Sequence, residues 1–199
     1  MNRFSVDSEL FKRFYAQKGI TPGLFKLSSI TEAFVHKELS SLHLQKATGM
    51  DTISPKVLRD SADIITPLIT HIVNLSITTG NVPDDFKVAK VTPLYKKNDK
   101  LDVGNYRPVS VLSAVSKILE KAVYVQTQKY LLDNNLIFKT QSGFRPGHST
   151  ETCLLHLTDY IKQQTAKGLY TGMLLLDVQK AFDSVNHSIL CKKNCMLWA

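Results

Sequence analysis

LLLDVQKAFDSV, Leu174 to Val185, sets an aspartate directly behind three leucines. An apolar run of that length reads as a buried β-strand, and a carboxylate at its end costs free energy unless a cation, a donor or a metal meets it. A rigid strand suits a hard cation, because magnesium demands oxygen ligands in near-octahedral geometry. For Asp177 alone, a salt bridge to a lysine such as Lys180 is the simpler reading. The string DVQKAF adds Phe182 five residues on, where a tight turn into a helix returns the ring beside a bound metal. Ordinary helix amphipathicity does not produce that arrangement.

Around this stretch the chain has 199 residues, 43% of them hydrophobic, enough for one domain or two small subdomains with a real core. Lys and Arg number 25 against 17 Asp and Glu, a formal charge of +8 that favours polyanionic partners. No apolar run approaches the ~18 to 20 residues of a membrane helix, and MNRFSVDSELFKRF lacks the apolar centre of a secretory signal. We therefore expect an intracellular protein of nucleus or cytoplasm with no membrane partner. Cys153, Cys191 and Cys195 lack framework spacing, which fits a reducing compartment. His187, Cys191 and Cys195 recur every fourth residue, but three ligands without a fourth give no zinc assignment.

Pattern makes the first half helical. Ser29-Ile30-Thr31-Glu32 has the form of a capping box, followed by Val35, Leu39 and Leu42 at helical spacing until the TGMD turn, Thr48 to Asp51. Ser54-Pro55 reads as an N-cap with proline at the first helical position. A longer helix starts near Ala62, with Ile64, Leu68, Ile72 and Leu75 on one face, Pro67 near its first turns and Gly80 as its stop. FKVAKVTPLY, Phe86 to Tyr95, and YRPVSVLS, Tyr106 to Ser113, then form a hairpin across a basic loop carrying Lys96, Lys97 and Lys100. Edge protection by lysines and phosphate binding explain that loop equally well. An amphipathic helix follows from about Ala114 to Asp133, with Ile118, Ala122, Val125 and Leu132 as its core stripe. After the loop TQSGFRPGHST, Ser149 caps a helix bearing Leu154, Leu157 and Ile161 that ends at Gly168.

Four stretches in order carry a resemblance to the reverse transcriptases of LINE-type, non-LTR, jockey-like retrotransposons. They are KATGMDTISPKVL (Lys46 to Leu58), VPDDFKVAKVTPLYKK continuing to NYRPVSVLSAVSKILEK (Val82 to Lys121), TQSGFRPGHST (Thr140 to Thr150) and LLLDVQKAFDSVNH (Leu174 to His187). The resemblance spans nearly the whole chain from Phe25. It implies an α+β fold: mainly helical fingers with a β-hairpin, plus the first strand of a right-hand polymerase palm, as an incomplete domain. On that reading residues 1–25 match no motif and are poorly ordered, 26–80 form a helical extension, 81–168 the fingers, and 169–199 the start of the palm.

The resemblance also implies roles. Asp177 is a catalytic metal ligand, the Val178 carbonyl faces a metal, and two magnesium ions serve the complete enzyme. Phe182 lies under the sugar and selects deoxynucleotides. Arg107 binds the triphosphate together with Lys96 or Lys97, a choice the hairpin pattern leaves open. Gln141, Gly143 and Arg145 belong to a template-contacting loop, in which Gly143 permits close approach; we read Phe144 as packing rather than stacking. The implied partners are an RNA template, a DNA primer and deoxynucleoside triphosphates.

The Tyr-x-Asp-Asp string that completes the family's metal site does not follow Asp177, and Asp84-Asp85 in VPDDF do not substitute for it. Phe86 stands where the family usually has tryptophan, and CKKNCMLWA, Cys191 to Ala199, departs from the expected leucine-rich helix. We therefore expect a fragment of an RNA-directed DNA polymerase that is inactive alone. A non-catalytic nucleic-acid-binding remnant is the alternative, and a helical protein-interaction module would leave the ordered motifs unexplained.

Overall fold

Thr31 caps the first helix of the described residues. In this computed structural model, which describes residues 25–178, 181 and 184–190, its extended backbone lets the hydroxyl accept from the Phe34 amide at 3.3 Å. Helix α1, Glu32–Ser40, is therefore capped by Thr31, and the box anticipated from Ser29 is not the cap. Glu32 instead sits in the first turn, where a negative charge favours the helix dipole. Helix α2, Pro55–Asp60, follows the sequence reading: the Ser54 hydroxyl accepts from Val57 N at 3.3 Å, and Pro55 occupies a position whose N–H needs no partner.

Helix α3, Ala62–Thr79, ends as expected at Gly80, whose φ of 68° is left-handed. Its orientation differs from expectation. Ile64, Leu68 and Leu75 share a face, but that face is 83%, 61% and 53% exposed, while Thr66, Ile69, Thr70, Val73 and Ser76 are buried. The hydroxyls of Thr66, Thr70 and Ser76 return to the carbonyls of Ala62, Thr66 and Ile72, so a small, internally satisfied face packs inward. Pro67 lies inside the helix on the exposed side, where water can serve the carbonyl it leaves unpaired.

The described residues fall into two compact units. One comprises Lys26–Tyr130; the described part of the other is residue 25 together with residues from Leu131 onward. The first unit holds the core: Val35 and Leu39 of α1 and Val73 of α3 are fully buried, and Ile118 of α4, Ser116–Asp133, is nearly so. Each such side chain contributes about 1.5 to 3 kcal/mol of burial. Only the first half of α4 joins this core; Val125 and Leu132, anticipated in its stripe, are 41% and 39% exposed.

Two amides fasten the chain ahead of α1. Asn74 Oδ1 accepts from Ile30 N at 2.8 Å while its Nδ2 donates to Ile30 O at 3.0 Å. Gln126 does the same for Ser28, accepting from its amide at 2.8 Å and donating to its carbonyl at 3.0 Å. Both side chains imitate a strand partner and satisfy backbone that has no ladder.

A short 3-10 turn, Asp84–Phe86, precedes β1, and the Lys87 ammonium donates to Asp84 at 2.9 Å. That hydrogen bond, reinforced by the lysine charge, holds the Asp84 carboxyl below its ordinary value. Strands β1, Lys90–Tyr95, and β2, Tyr106–Val111, pair antiparallel in the register Lys90↔Val111 to Tyr95↔Tyr106. Gly49 sits against the root of this hairpin: a Cβ there would lie 2.8 Å from Ser113 N and 2.9 Å from Leu112 C. The TGMD turn can pack there because residue 49 has no side chain.

In the second unit, α5, Thr150–Ala166, starts at the anticipated cap: the Ser149 hydroxyl accepts from Thr152 N at 3.2 Å, and Thr152 Oγ1 accepts from Ser149 N at 2.8 Å. No residue of α5 is buried. The strand expected at Leu174–Asp177 is not formed; residues 169–178 carry neither helix nor strand, and Leu174, Leu175 and Leu176 are 82%, 79% and 85% exposed. A strand exists only with a partner for its amides and carbonyls, and among the described residues the sole ladder is β1–β2. Helices with a two-stranded antiparallel sheet nonetheless agree with the expected α+β class.

Candidate nucleic-acid interface

The hairpin register sorts its side chains into two faces, because successive strand residues alternate. Val91, Pro93 and Tyr95 share a face with Tyr106, Pro108 and Ser110. Lys90, Thr92 and Leu94 share the other with Arg107 and Val109. Lys96, whose amide donates to Asn105 O at 2.8 Å, continues that second face diagonal to Arg107. Lys97 follows in the loop. Among the described residues the ion pairs are His36–Asp63, Arg59–Asp60 and Lys87–Asp84, so no carboxylate of those residues engages Lys96, Lys97 or Arg107.

Pro93 and Pro108 lie directly opposite each other. Counting back from the Lys96–Asn105 bond, their pair is a non-hydrogen-bonded one, so neither ring interrupts the ladder. At such positions an ordinary residue would point its N–H outward; proline has none to offer a further strand. The prolines thus blunt both edges, and edge defence does not require the lysines.

The loop between the strands is built rather than slack. The Tyr95 and Tyr106 rings meet edge to face at 5.7 Å, and Lys100 Nζ lies 5.6 Å from the Tyr95 ring centre. Tyr95 Oη donates to Asn98 O, Tyr106 Oη donates to Lys100 O at 2.9 Å, and Asn105 Nδ2 donates to Asp99 O at 2.8 Å. The basic tip is therefore presented in a defined shape.

A second basic feature was missed by the sequence reading. A cleft of about 240 Å³ is lined by His43 and Lys46 from the loop after α1 and by Lys117 and Lys121 from the first turns of α4, with Glu38 its one carboxylate. The i, i+4 spacing of Lys117 and Lys121 in SKILEK was the available signal.

In the second unit, Gln141 and Arg145 are turned onto their own loop. Gln141 Nε2 donates to Gly143 O at 3.2 Å, and Arg145 Nη1 donates to Lys139 O at 3.2 Å and Phe138 O at 3.5 Å. A Cβ on Gly143 would meet nothing within 4 Å, so no close approach is made there. Phe144 is 90% exposed, which corrects the expectation that it packs. Asp177 is exposed and Val178 is 61% exposed. Phe182, Lys180, Cys191 and Cys195 lie outside the described residues. Among the described residues no three His, Cys, Asp or Glu side chains are grouped to hold a metal, and no helix is long and apolar enough to cross a membrane.

Residues 95–196, half of the chain, match the family described as reverse transcriptase (RNA-dependent DNA polymerase). The chain belongs to that family. This reverse transcriptase chain is 29% identical over 168 residues to the RNA-directed DNA polymerase from mobile element jockey of Drosophila melanogaster, covering 84% of the chain and 18% of that relative. It is 30% identical over 165 residues to the jockey polymerase of Drosophila funebris, covering 82% of the chain and 18% of that relative. The probable RNA-directed DNA polymerase from transposon X-element of Drosophila melanogaster is 27% identical over 169 residues, again 84% and 18%. The reverse transcriptase chain thus spans less than a fifth of the length of these mobile-element relatives.

Proposed function

We propose that this chain supplies the fingers and the start of the palm of an RNA-directed DNA polymerase that extends a DNA primer on an RNA template. The observation that carries the reading is the hairpin face holding Arg107 and Lys96, which no carboxylate of the described residues engages. Arg107 would grip phosphate oxygens through its planar fork while Lys96 adds a mobile point charge, both offsetting charge that builds on the departing phosphates. The family-based division stands with it: 26–80 as helical extension, 81–168 as fingers, 169–199 as the opening of the palm. Gln141 to Arg145 form the template-side loop, and Phe182 has the selection of deoxynucleotides as its role. The basic cleft of Lys46, Lys117 and Lys121 supports a polyanionic partner independently of the hairpin.

Asp177 and the Val178 carbonyl are hard oxygen donors of the kind magnesium takes, two toward a coordination number of about six. When bound, the metal pair supplies activation of the primer hydroxyl and stabilisation of the leaving pyrophosphate. This chain's own part is to hold those two oxygens and to position the triphosphate.

A second reading, nucleic-acid binding without turnover, is favoured by the exposure of Leu174 to Leu176, which leaves Asp177 on a segment with no ladder to fix it. Two measurements separate the readings. Fluorescence anisotropy with a short single-stranded RNA should give an affinity that falls with salt by a log–log slope of about 0.7 per phosphate contact, and Lys121→Gln in the basic cleft should flatten it by about that amount. Salt-independent binding would reject both. Primer extension with magnesium and deoxynucleotides, run on a jockey-type polymerase whose corresponding segment is replaced by this chain, then decides between them: incorporation that Asp177→Asn abolishes supports the polymerase, and none from the chimaera leaves binding alone.

A further inference from the structure

Phe144 combines two features that rarely occur together in a residue of no consequence. Its φ is 57°, in the left-handed region where a Cβ crowds the following carbonyl, and its ring is 90% exposed. The adjacent Gly143, which would tolerate that conformation freely, does not take it. The loop is held from both sides: Gln141 Nε2 donates to Gly143 O at 3.2 Å, Arg145 Nη1 to Lys139 O at 3.2 Å and Phe138 O at 3.5 Å, and His148 N to Arg145 O at 3.2 Å. The polar side chains are spent on the loop itself, and what the loop presents outward is an aromatic face. Residues 134–150 contain Lys139, Arg145 and His148 and no Asp or Glu, so a polyanion meets no opposing charge there.

We infer that Phe144 is a stacking platform for an unpaired nucleobase of single-stranded nucleic acid, held in strained presentation by Gln141 and Arg145. The inference rests on the nucleic-acid reading above and adds to it a contact with the base rather than with phosphate. Every base has a π-face, so the contact is sequence-tolerant, and it is independent of salt because it releases no counterion.

The test is anisotropy with the full 199-residue chain, comparing a short single-stranded RNA with an abasic strand of the same length. Phe144→Ala should weaken RNA binding about tenfold, leave the abasic strand unaffected and leave the salt slope unchanged, while Phe144→Tyr retains affinity. Phe144→Gly guards against a folding artefact: it removes both ring and strain, so its melting temperature should hold or rise while RNA affinity drops. RNA affinity unchanged in Phe144→Ala, equal losses on both strands, or a destabilised Phe144→Gly would each overturn the stacking role while leaving the nucleic-acid reading in place. A native chain that binds neither strand would overturn that reading and the stacking with it.

Discussion

At Gly49 a single hydrogen stands where any other residue would put a methyl group 2.8 Å from the Ser113 nitrogen. The contacted atoms are backbone at the junction of β2 and α4, which cannot swing aside as a flexible side chain would. Gly49→Ala should therefore destabilise the chain by about 1 to 3 kcal/mol, read as a lower urea midpoint with unchanged slope. The KATGMD motif is thus legible for family membership, but its physical reason is not: nothing in the string says which backbone the glycine approaches. Leu39, by contrast, was placed in the core by spacing alone and is fully buried. Leu39→Ala should cost about 2 to 5 kcal/mol by the same measurement.

Among the elements, most ends proved readable, the cap of α1 excepted, and the inward face of α3 did not. Ser54-Pro55, Gly80 and Ser149 act within one turn of themselves, so local sequence determines them. Which side of α3 turns inward depends on neighbours: its threonines bury cheaply because their hydroxyls bond within the helix, and the larger aliphatics are left outside. The Leu174–Leu176 run failed as a strand for a related reason, since no segment of the described residues pairs with it. Two expectations belong at this scale. Ser149→Ala removes the cap of α5 and should cost about 1 kcal/mol, seen as faster hydrogen exchange of its first-turn amides. Hydrogen bonds from Ser149 and from its own backbone hold the Glu151 carboxyl below its ordinary value. The ionised form is then favoured in the folded helix, so this stabilisation is full above the unfolded carboxyl's pKa, about 4.3, and is lost as pH falls through the lower folded value. First-turn protection of α5 should decline on acidification in that window.

For the molecule as a whole, the buried aliphatic core of the described residues lies between Val35 and Ala122, while α5 buries nothing and the leucines beyond it face water. Ending the chain after Gly168 should accordingly leave the main thermal transition within about 2 °C of the native value, since none of the described residues beyond it is buried. The same truncation should reduce light scattering at high concentration, because it deletes an exposed, uncharged aliphatic run. Restoring outward amides to the hairpin with Pro93→Val and Pro108→Val should increase scattering through strand addition.

The Asn74 and Gln126 clamps on Ile30 and Ser28 reach across 44 and 98 residues of sequence. A chain emerging from the ribosome cannot close them in the order in which it is made. The segment ahead of α1 waits for the first clamp until α3 is complete, and for the second until α4 has cleared the exit. Closing loops of that length costs entropy before the contacts reward it. The helical unit should therefore lock late and from both ends at once, its earliest-synthesised residues being among the last to find their hydrogen bonds.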